Sequence, residues 1–445
     1  PRQGTRDPRT DPGYRRPRMS SAAATTATTA TTAAEPAAAA SASDASSSSA
    51  GSTPAGELLF AGCAAHSMAG RSAGTTSKFD GVEDRTVDTF SRILPAVRVS
   101  VVVTGNTACH FFCVTPEGAA YAWGRNEDFQ LGFSDDVNRY RPTPIPAASI
   151  AGLKTSRFVG GACGVGHSIL FTHDGKVFSC GRNLAGQCGV GKVSPEPVTG
   201  FTRVKGLGSE TDVVVSAGAG RDFSVAVTAA GSVFTWGSPE NGQLANGNEG
   251  KTIEKAGKFT FAYRATPGVV ATLSNAVKVA CGTQHAVVMD RDGRLFSWGF
   301  GGFGRLGHGD NKDKFVPEPI ALFSFEPPPP NPNVPAFAQR SQPRVRAADV
   351  ACGSACTYAV ARAPVSLLYF WGITKRSSEA TMKPFVVDEL GSWRVSSVAS
   401  GFTSTIVACA AERSVASWGP SPVMGELGYG SEGVKSSTKP KEVES

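Results

Sequence analysis

The sequence lacks the features that would place the chain in a membrane or in the secretory pathway. It has no run of eighteen apolar residues, so no membrane-spanning helix is predicted. No apolar segment of the kind found in signal peptides is visible near the start. A GxxxxGK[ST] motif is also absent, which excludes nucleotide binding through a P-loop.

Groups for catalysis are scarce as well. The chain has six histidines, and no set of nucleophile, base and orienting residue can be assembled from their spacing. Gly299, Gly301 and Gly304 match GxGxxG, but the RLGHGD that follows has no helical period. A dinucleotide site needs a helix there, because its N-terminal amides bind the pyrophosphate. We therefore predict a binding protein without catalytic residues and without a cofactor.

The ten cysteines include no CxxC pair. Cys109 with Cys113, and Cys352 with Cys356, could be misread as metal-ligand spacings, although alternation along a strand places such pairs on one face. Buried free thiols are the favoured interpretation, and these are typical of a reducing, intracellular compartment.

Three histidines invite a metal hypothesis because they occur at similar points of a repeated pattern. These are His110, His167 and His285. Other copies of the pattern have Asp222, Cys356 or Ser404 near this position, which disfavours a shared metal. We expect structural histidines that form hydrogen bonds to a neighbouring repeat.

What the sequence does contain is a repeat, seen most clearly in LFSWGFGGFGRLGHGD from Leu295 to Asp310. An apolar strand ends in an aromatic residue and a Gly, and a polar loop with a Leu-Gly pair follows. Successive copies lie roughly 50–70 residues apart, a period typical of propeller arrays. The residue before the Gly is, in order, Ala61, Trp123, Cys180, Trp236, Trp298, Trp371 and Trp418.

Each repeat also has an earlier half, such as VKVACGTQHAVVMD from Val277. Hairpin turns at Gly118, Gly175, Gly231 and Gly293 connect the two halves. Each unit is then about four antiparallel strands, which is a propeller blade. Seven late halves and six early halves predict an all-β, seven-bladed propeller over residues 57–445. We expect its last blade to be incomplete because the C-terminus is truncated.

Residues 1–56 are predicted to be a disordered leader, since their Ala, Thr and Ser cannot bury enough apolar surface to offset the entropy of ordering. A transit peptide is disfavoured because no Arg lies between Met19 and Arg71. Part of the net charge of +7 comes from the segment before Met19, so it says little about the propeller.

Three insertions interrupt the repeats. Residues 67–97 are expected to pack outside the ring or to form a loop. Residues 246–275 carry basic residues among Phe259, Phe261 and Tyr263, and they are either a strand pair that extends a blade or a partner-binding arm. Residues 323–346 contain PPPPNPNVP, which predicts a polyproline II spacer or docking peptide.

The motifs WGRN, GQL and ACGTQH resemble those of the regulator-of-chromosome-condensation family of seven-bladed propellers. The later motifs FSWGFGGFGRLGH, LYFWGITKRSSEATMKP, GSWRVSSVASG and SWGPSPVMGELGYG are similar to the branch called regulator of chromosome condensation two. The resemblance runs from about Leu58 to Val443, and it is most specific from Val277 onward.

The resemblance implies a regulator of small GTPases of the Rac, Arf or Ran type, with association to microtubules or chromatin during mitosis. It implies a monomer in the nucleus and cytoplasm. An exchange factor stabilises the nucleotide-free state of its partner by differential binding, so it needs a wide rigid face rather than catalytic groups. The candidate contacts are the loop residues Arg125, Asn126, Asp128, Arg182, Asn183, Glu240, Asn241, Phe303 and Arg305.

Three alternatives stay open. The loop residues can instead cap turns and hold neighbouring blades together. The protein can be a scaffold on microtubules or chromatin without exchange activity. A third hypothesis is a light sensor like the plant ultraviolet-B receptors, which have a repeated GWRHT motif. In this sequence GSWRVSS, at Trp393, partly matches that motif. The other tryptophans end predicted strands, which disfavours that function.

Overall fold

The computed structural model describes residues 55–63, 86–208, 212–248, 250–253, 259–324, 345–362, 364, 366–374, 379–402, 404–409, 411–420, 425–430 and 437–443. Every regular element in these ranges is a β-strand or a three-residue 3₁₀ turn, so the all-β prediction is confirmed. The 3₁₀ turns are Ala147–Ser149, Gly302–Gly304, Ala321–Phe323 and Asp388–Leu390.

The chain starts with a two-stranded antiparallel sheet of β1 (Leu59–Cys63) and β2 (Thr86–Arg92). Three four-stranded antiparallel sheets follow, which we call blades 1 to 3. Blade 1 contains β3 (Val101–Val103), β4 (His110–Val114), β5 (Ala120–Gly124) and β6 (Arg139–Pro144). Blade 2 contains β7 (Phe158–Cys163), β8 (His167–Thr172), β9 (Val177–Gly181) and β10 (Val198–Arg203). Blade 3 contains β11 (Val214–Ala219), β12 (Phe223–Thr228), β13 (Val233–Gly237) and, after a separate hairpin of β14 (Lys251–Ile253) and β15 (Phe259–Phe261), β16 (Arg264–Val269).

Blades 4 to 6 repeat the same meander. Blade 4 contains β17 (Ala276–Cys281), β18 (His285–Asp290), β19 (Leu295–Gly299) and β20 (Lys314–Pro319). Blade 5 contains β21 (Ala347–Cys352), β22 (Cys356–Ala361), β23 (Leu368–Gly372) and β24 (Thr381–Val386). Blade 6 contains β25 (Val395–Ser400), β26 (Thr405–Cys409), β27 (Ser414–Gly419) and β28 (Ser437–Glu442).

The tryptophan-glycine pair that ends the third strand in every blade except blade 2 has a packing reason. Trp298 is fully buried between blades. Gly299 has φ +101, and a Cβ there would lie 2.6 Å from the Gln284 carbonyl oxygen and 2.9 Å from the His285 Cα. Only glycine lets the third strand approach the start of the second strand so closely. The predicted hairpin glycines also have positive φ, which confirms those turns: Gly118, Gly175, Gly231 and Gly293.

The blades are arranged around an axis, with the first strand of each blade beside the first strand of the next from β3 to β25. The described residues form six four-stranded blades, so the predicted count of seven is wrong. The N-terminal late half, which contains Ala61, has no early half to pair with. In the described residues it forms only the two-stranded β1–β2 sheet.

That two-stranded sheet lies between blades 6 and 1. On one side the ring of Phe60 is 6.3 Å from the ring of Phe111 in blade 1. On the other side a Cβ on Gly428, in the last loop of blade 6, would lie 2.5 Å from the ring of Phe90. The strand β2 lies in the segment 67–97, so part of this segment belongs to a sheet and is not the loop or outer excursion that the sequence predicts.

The structure describes only parts of the other segments singled out in the sequence. The insertion 246–275 holds the hairpin β14–β15, and β16 within it is the fourth strand of blade 3. Almost all of the leader 1–56 and residues 325–344 of the proline-rich insertion lie outside the described residues.

Buried histidines connect neighbouring blades. His110 Nε2 lies 2.7 Å from Ser168 Oγ in blade 2, and that hydroxyl donates to the Gln130 carbonyl oxygen of blade 1 at 2.6 Å. The seam is therefore crossed twice by hydrogen bonds within one buried cluster.

Two further seams repeat this arrangement, which confirms the prediction of structural histidines. His167 Nε2 lies 2.9 Å from Ser224 Oγ, and His285 Nε2 lies 3.1 Å from Thr357 Oγ1. Between blades 3 and 4 the same positions hold the apolar pair Phe223 and Ala286. Within the described part of the chain, no three His, Cys, Asp or Glu residues are close enough to hold a metal ion.

Burial also sets the ionisation of these residues. Loss of solvation lowers the pKa of His110 and of His167 from the ordinary 6.5 to about 3, and it lowers the pKa of His285 well below 6.5. Nine cysteines are free and buried, and burial raises the pKa of Cys109 to about 11. These histidines and the Cys109 thiol are therefore uncharged at neutral pH.

We expect backbone amides of β1 to exchange hydrogen about tenfold or more faster than those of β19, because a two-stranded sheet opens more easily than a four-stranded one. Among the described residues β1 pairs with β2 alone, whereas β19 pairs on both sides. Hydrogen exchange followed by mass spectrometry measures this. Equal protection of the two strands would contradict the six-bladed count.

We expect the seam histidines to make the protein acid-sensitive. Their folded pKa lies below the unfolded value, so the unfolded state binds more protons below pH 6.5. The free energy of unfolding is therefore highest above pH 6.5. It falls between about pH 6.5 and 3, by about 1 kcal/mol per pH unit for each histidine. Urea unfolding at a series of pH values measures the slope.

The matched variant combines His167→Phe with Ser224→Ala, which reproduces the natural Phe223–Ala286 pair of the next seam. It removes one titrating group while keeping a packed seam, so the slope should fall by about 1 kcal/mol per pH unit. An unchanged slope would show that His167 does not contribute to acid sensitivity.

Candidate partner-binding face

All the predicted contact residues lie at one end of the blades. Strand direction alternates in each sheet, so the turn between the first and second strands and the loop between the third and fourth strands share one end. We call this end the loop face and the loop between the third and fourth strands the outer loop. The opposite end, with the hairpin turns at Gly118 and Gly175, is the turn face.

The outer loops of blades 2, 3 and 4 are each anchored on the fourth strand of the next blade. Three loop glycines have positive φ and approach that strand so closely that a Cβ would lie 2.8–3.0 Å from a Cα. The pairs are Gly186 with Ala265, Gly242 with Phe315, and Gly304 with Met382. The outer loops of successive blades are therefore held in equivalent positions.

A glutamine locks the outer loop in three blades. The Oε1 atoms of Gln130, Gln187 and Gln243 each accept a hydrogen bond, at 2.7–2.8 Å, from the backbone N–H two residues earlier. Sequence reasoning missed this role. Its signal was the recurrence of Gln before Leu or Cys and a small residue in three copies.

The carbonyl of the same residue meets the following blade. Trp236 Nε1 donates to the Gln187 oxygen at 2.8 Å, and Trp298 Nε1 donates to the Gln243 oxygen at 2.9 Å. Two other blade tryptophans, Trp123 and Trp371, have a buried Nε1 with no acceptor among the described residues. The seam is thus less regular at those positions.

Asn126 and Asn183 are buried and serve the loops themselves. Asn126 Oδ1 accepts from the Leu131 N–H at 2.9 Å, and its Nδ2 donates to the Asp135 oxygen at 2.6 Å. Asn183 Oδ1 accepts from the Cys188 N–H at 3.1 Å. Their side chains are 0% exposed, so the turn-capping interpretation describes what they do here.

Arg125, Asp128 and Arg182 lie nearer the surface and form ion pairs. Arg125 pairs with Glu127 at 2.6 Å within blade 1. Arg182 of blade 2 pairs with Asp128 of blade 1 at 2.7 Å, with side chains 32% and 24% exposed. This pair crosses a seam on the loop face and is accessible to a partner.

Glu240 and Asn241 belong to a polar group that spans blades 3 and 4. Glu240 lies 3.8 Å from Arg221, which also pairs with Asp222 at 2.7 Å. Asn241 Oδ1 accepts from Gln284 Nε2 at 3.0 Å. Arg221 and Gln284 were not predicted, because they precede the second strand and carry no recognisable motif.

Phe303 and Arg305 differ from the other candidates. Phe303 is 43% exposed and has φ +64. Arg305 is 4% exposed, and burial lowers its pKa to about 10, so it remains protonated at neutral pH.

One further residue, Asn106, forms a hydrogen bond across the centre of the loop face. Asn106, in the first turn of blade 1, donates through Nδ2 to the Cys281 carbonyl oxygen of blade 4. It is 5% exposed. Because it reaches the opposite side of the ring, it ties blade 1 to blade 4 across the axis.

No helix in the described ranges is long and apolar enough to cross a membrane.

Comparison with known proteins places the sequence in a family. It matches the description "Regulator of chromosome condensation (RCC1) repeat" over residues 117–171, 174–227, 230–289 and 292–360. "Protein RCC2 homolog" from Danio rerio is 37% identical over 364 residues, which is 79% of this chain and 68% of that protein. "Protein RCC2" from Homo sapiens is also 37% identical over 364 residues, and there the chain spans 64% of the relative.

Solved structures agree on the fold. Human WBSCR16 superposes with a TM-score of 0.64 at 20% identity, covering 83% of this chain and 88% of the other. Prp20p from Saccharomyces cerevisiae gives 0.62 at 18% identity, covering 88% and 86%. With the anchored outer loops and the relatives named RCC2, the predicted family is confirmed: the chain belongs to the regulator of chromosome condensation (RCC1) repeat family.

Proposed function

We propose that this propeller binds a small GTPase through the loop face and regulates its nucleotide state, with Rac- or Arf-type GTPases as the expected partners. The observation that carries the proposal is the equivalent anchoring of successive outer loops on the next blade. Anchored loops lose little conformational freedom on binding, which favours a broad protein contact.

Regulation on this face requires no catalytic group. An exchange factor accelerates nucleotide release when it binds the nucleotide-free GTPase more tightly than the nucleotide-bound form. The accessible seam pair Arg182–Asp128 and the Arg221–Glu240 pair offer both charge signs along the face. Such mixed charges orient a partner and add specificity more than affinity.

A second candidate is a scaffold that docks on microtubules or chromatin without promoting exchange. The structure of the similarly folded Prp20p was described together with its binding to Gsp1p and histones, so histones are among the partners studied with one propeller of this fold. The chain spans about two thirds of the length of the curated relatives it matches. For either function we propose a monomer in the nucleus and cytoplasm, consistent with nine buried free thiols.

The test is release of a fluorescent guanine nucleotide from a panel of Rac, Arf and Ran proteins, together with binding to each in its nucleotide-free form. We expect at least one to bind. Arg182→Glu places two carboxylates at the seam and reverses one surface charge, so it should weaken binding about tenfold. Its cost in stability should stay at about 1 kcal/mol, because the two side chains are 32% and 24% exposed and solvent screens the pair.

The control is Arg157→Glu, the same charge reversal at an exposed position on the turn face. It should leave binding unchanged. Binding without faster release would favour the scaffold, whereas no binding to any nucleotide-free GTPase would reject the proposed function. Equal loss in both variants would point to net charge rather than to the loop face.

A further inference from the structure

The outer loop of blade 4 departs from its sister loops at two positions. Blade 3 reads NGQL at residues 241–244, whereas blade 4 reads FGRL at residues 303–306. Arg305 replaces the glutamine that locks the loop, and a guanidinium cannot accept a hydrogen bond. Instead, Arg305 Nε donates to the Gly302 oxygen at 2.8 Å, and Nη1 lies 3.5 Å from the Ser354 oxygen.

This departure is costly in three independent ways. Phe303 has φ +64, a conformation that is unfavourable for a bulky residue and leaves its ring partly exposed. Arg305 is buried, yet no carboxylate among the described residues forms an ion pair with it. The Nε1 of Trp371 has no acceptor in the described part of the chain, although the equivalent Trp298 is bonded to the blade 3 loop. Strained and unpaired groups tend to gather where a protein binds something.

The two side chains lie together. The guanidinium carbon of Arg305 is 4.7 Å from the ring centre of Phe300 and 5.7 Å from that of Phe303. Of its five N–H groups, only two point to carbonyl oxygens among the described residues. The nearby Asp313 accepts instead from the Gly301 N–H and from Asn241. Arg305 therefore carries a charge with unused donors in a poorly hydrated place.

We propose that Phe303 and Arg305 form a receptor for an aspartate or glutamate side chain of the protein partner. The carboxylate pairs with the free N–H groups of Arg305, and Phe303 turns aside to contact an apolar residue next to it. A carboxylate fits better than a phosphate, because Arg305 is the single cation of residues 300–307 and its planar fork matches a singly charged carboxylate. The inference rests on the proposed function and names the chemistry of the partner at this loop.

The first test rewrites the blade 4 loop as the blade 3 loop with F303N and R305Q. Both residues are native to the equivalent positions of blade 3, and Asn tolerates positive φ. We expect the variant to bind its GTPase about tenfold more weakly, as for loss of an interface anchor. Its urea midpoint should rise, because the loop lock returns. The control is R157Q, the same Arg-to-Gln change on the turn face, which should alter neither property.

The second test works without a GTPase. The Nε–H of Arg305 gives an NMR signal that R305Q identifies by its disappearance. Titration with N-acetyl-aspartyl-phenylalanine amide should shift this signal, and the neutral asparagine analogue should not. If R305Q fails to fold, F303N alone is titrated and should bind the dipeptide more weakly.

The outcomes separate the two ideas. Equal GTPase binding by wild type and F303N/R305Q would overturn the receptor while the proposed function stands. A dipeptide shift with no GTPase binding would support the receptor and reject the proposed partner. Equal shifts with both dipeptides, or none with either, would overturn the receptor.

Discussion

In blades 1 to 4, one buried carbonyl of the outer loop accepts a hydrogen bond from the next blade and so holds neighbouring blades together. The oxygen of Gln130 accepts from Ser168 of the next blade, and Ser168 is in turn bonded to His110 of the first blade. Buried polar groups are costly unless they are paired, so this cluster admits one relative position of the two blades. Because the same carbonyl belongs to the outer loop, the contact that assembles the blades also fixes the surface that they present.

The side chains of the outer loops can therefore differ between blades while the contacts that assemble the ring are kept. Thr357 reaches the carbonyl oxygen of Arg305 at 3.1 Å as Ser168 reaches that of Gln130, although the side chains at these two loop positions are unrelated. A main-chain acceptor is indifferent to the side chain that its residue carries. Blade 4 can thus exchange a neutral loop lock for a buried charge, which trades local stability for a distinctive surface.

Particular residues show how far sequence reasoning reached. The hairpin glycines, the strand-end tryptophans and the inter-blade histidines were predicted because each depends on local spacing or on a repeated position. The strand β2 was missed, since Thr86–Arg92 is a polar stretch whose pairing with β1 spans a long connection. The burial of Asn126 and Asn183 was offered only as an alternative, because a polar residue after a strand is equally consistent with a cap and with a surface contact.

The sequence by itself determined the blade: an apolar strand, a tight glycine turn and a Trp-Gly strand end are local, and each is repeated often enough to be recognised. It also determined the family, since the motifs are short and continuous. Only the tertiary structure decided the number of complete blades, the pairing of Arg182 with Asp128 across a seam, and the lack of an ion pair to Arg305 among the described residues. These depend on which residues of different repeats meet, and side-chain contacts between repeats more than fifty positions apart leave no trace in local spacing.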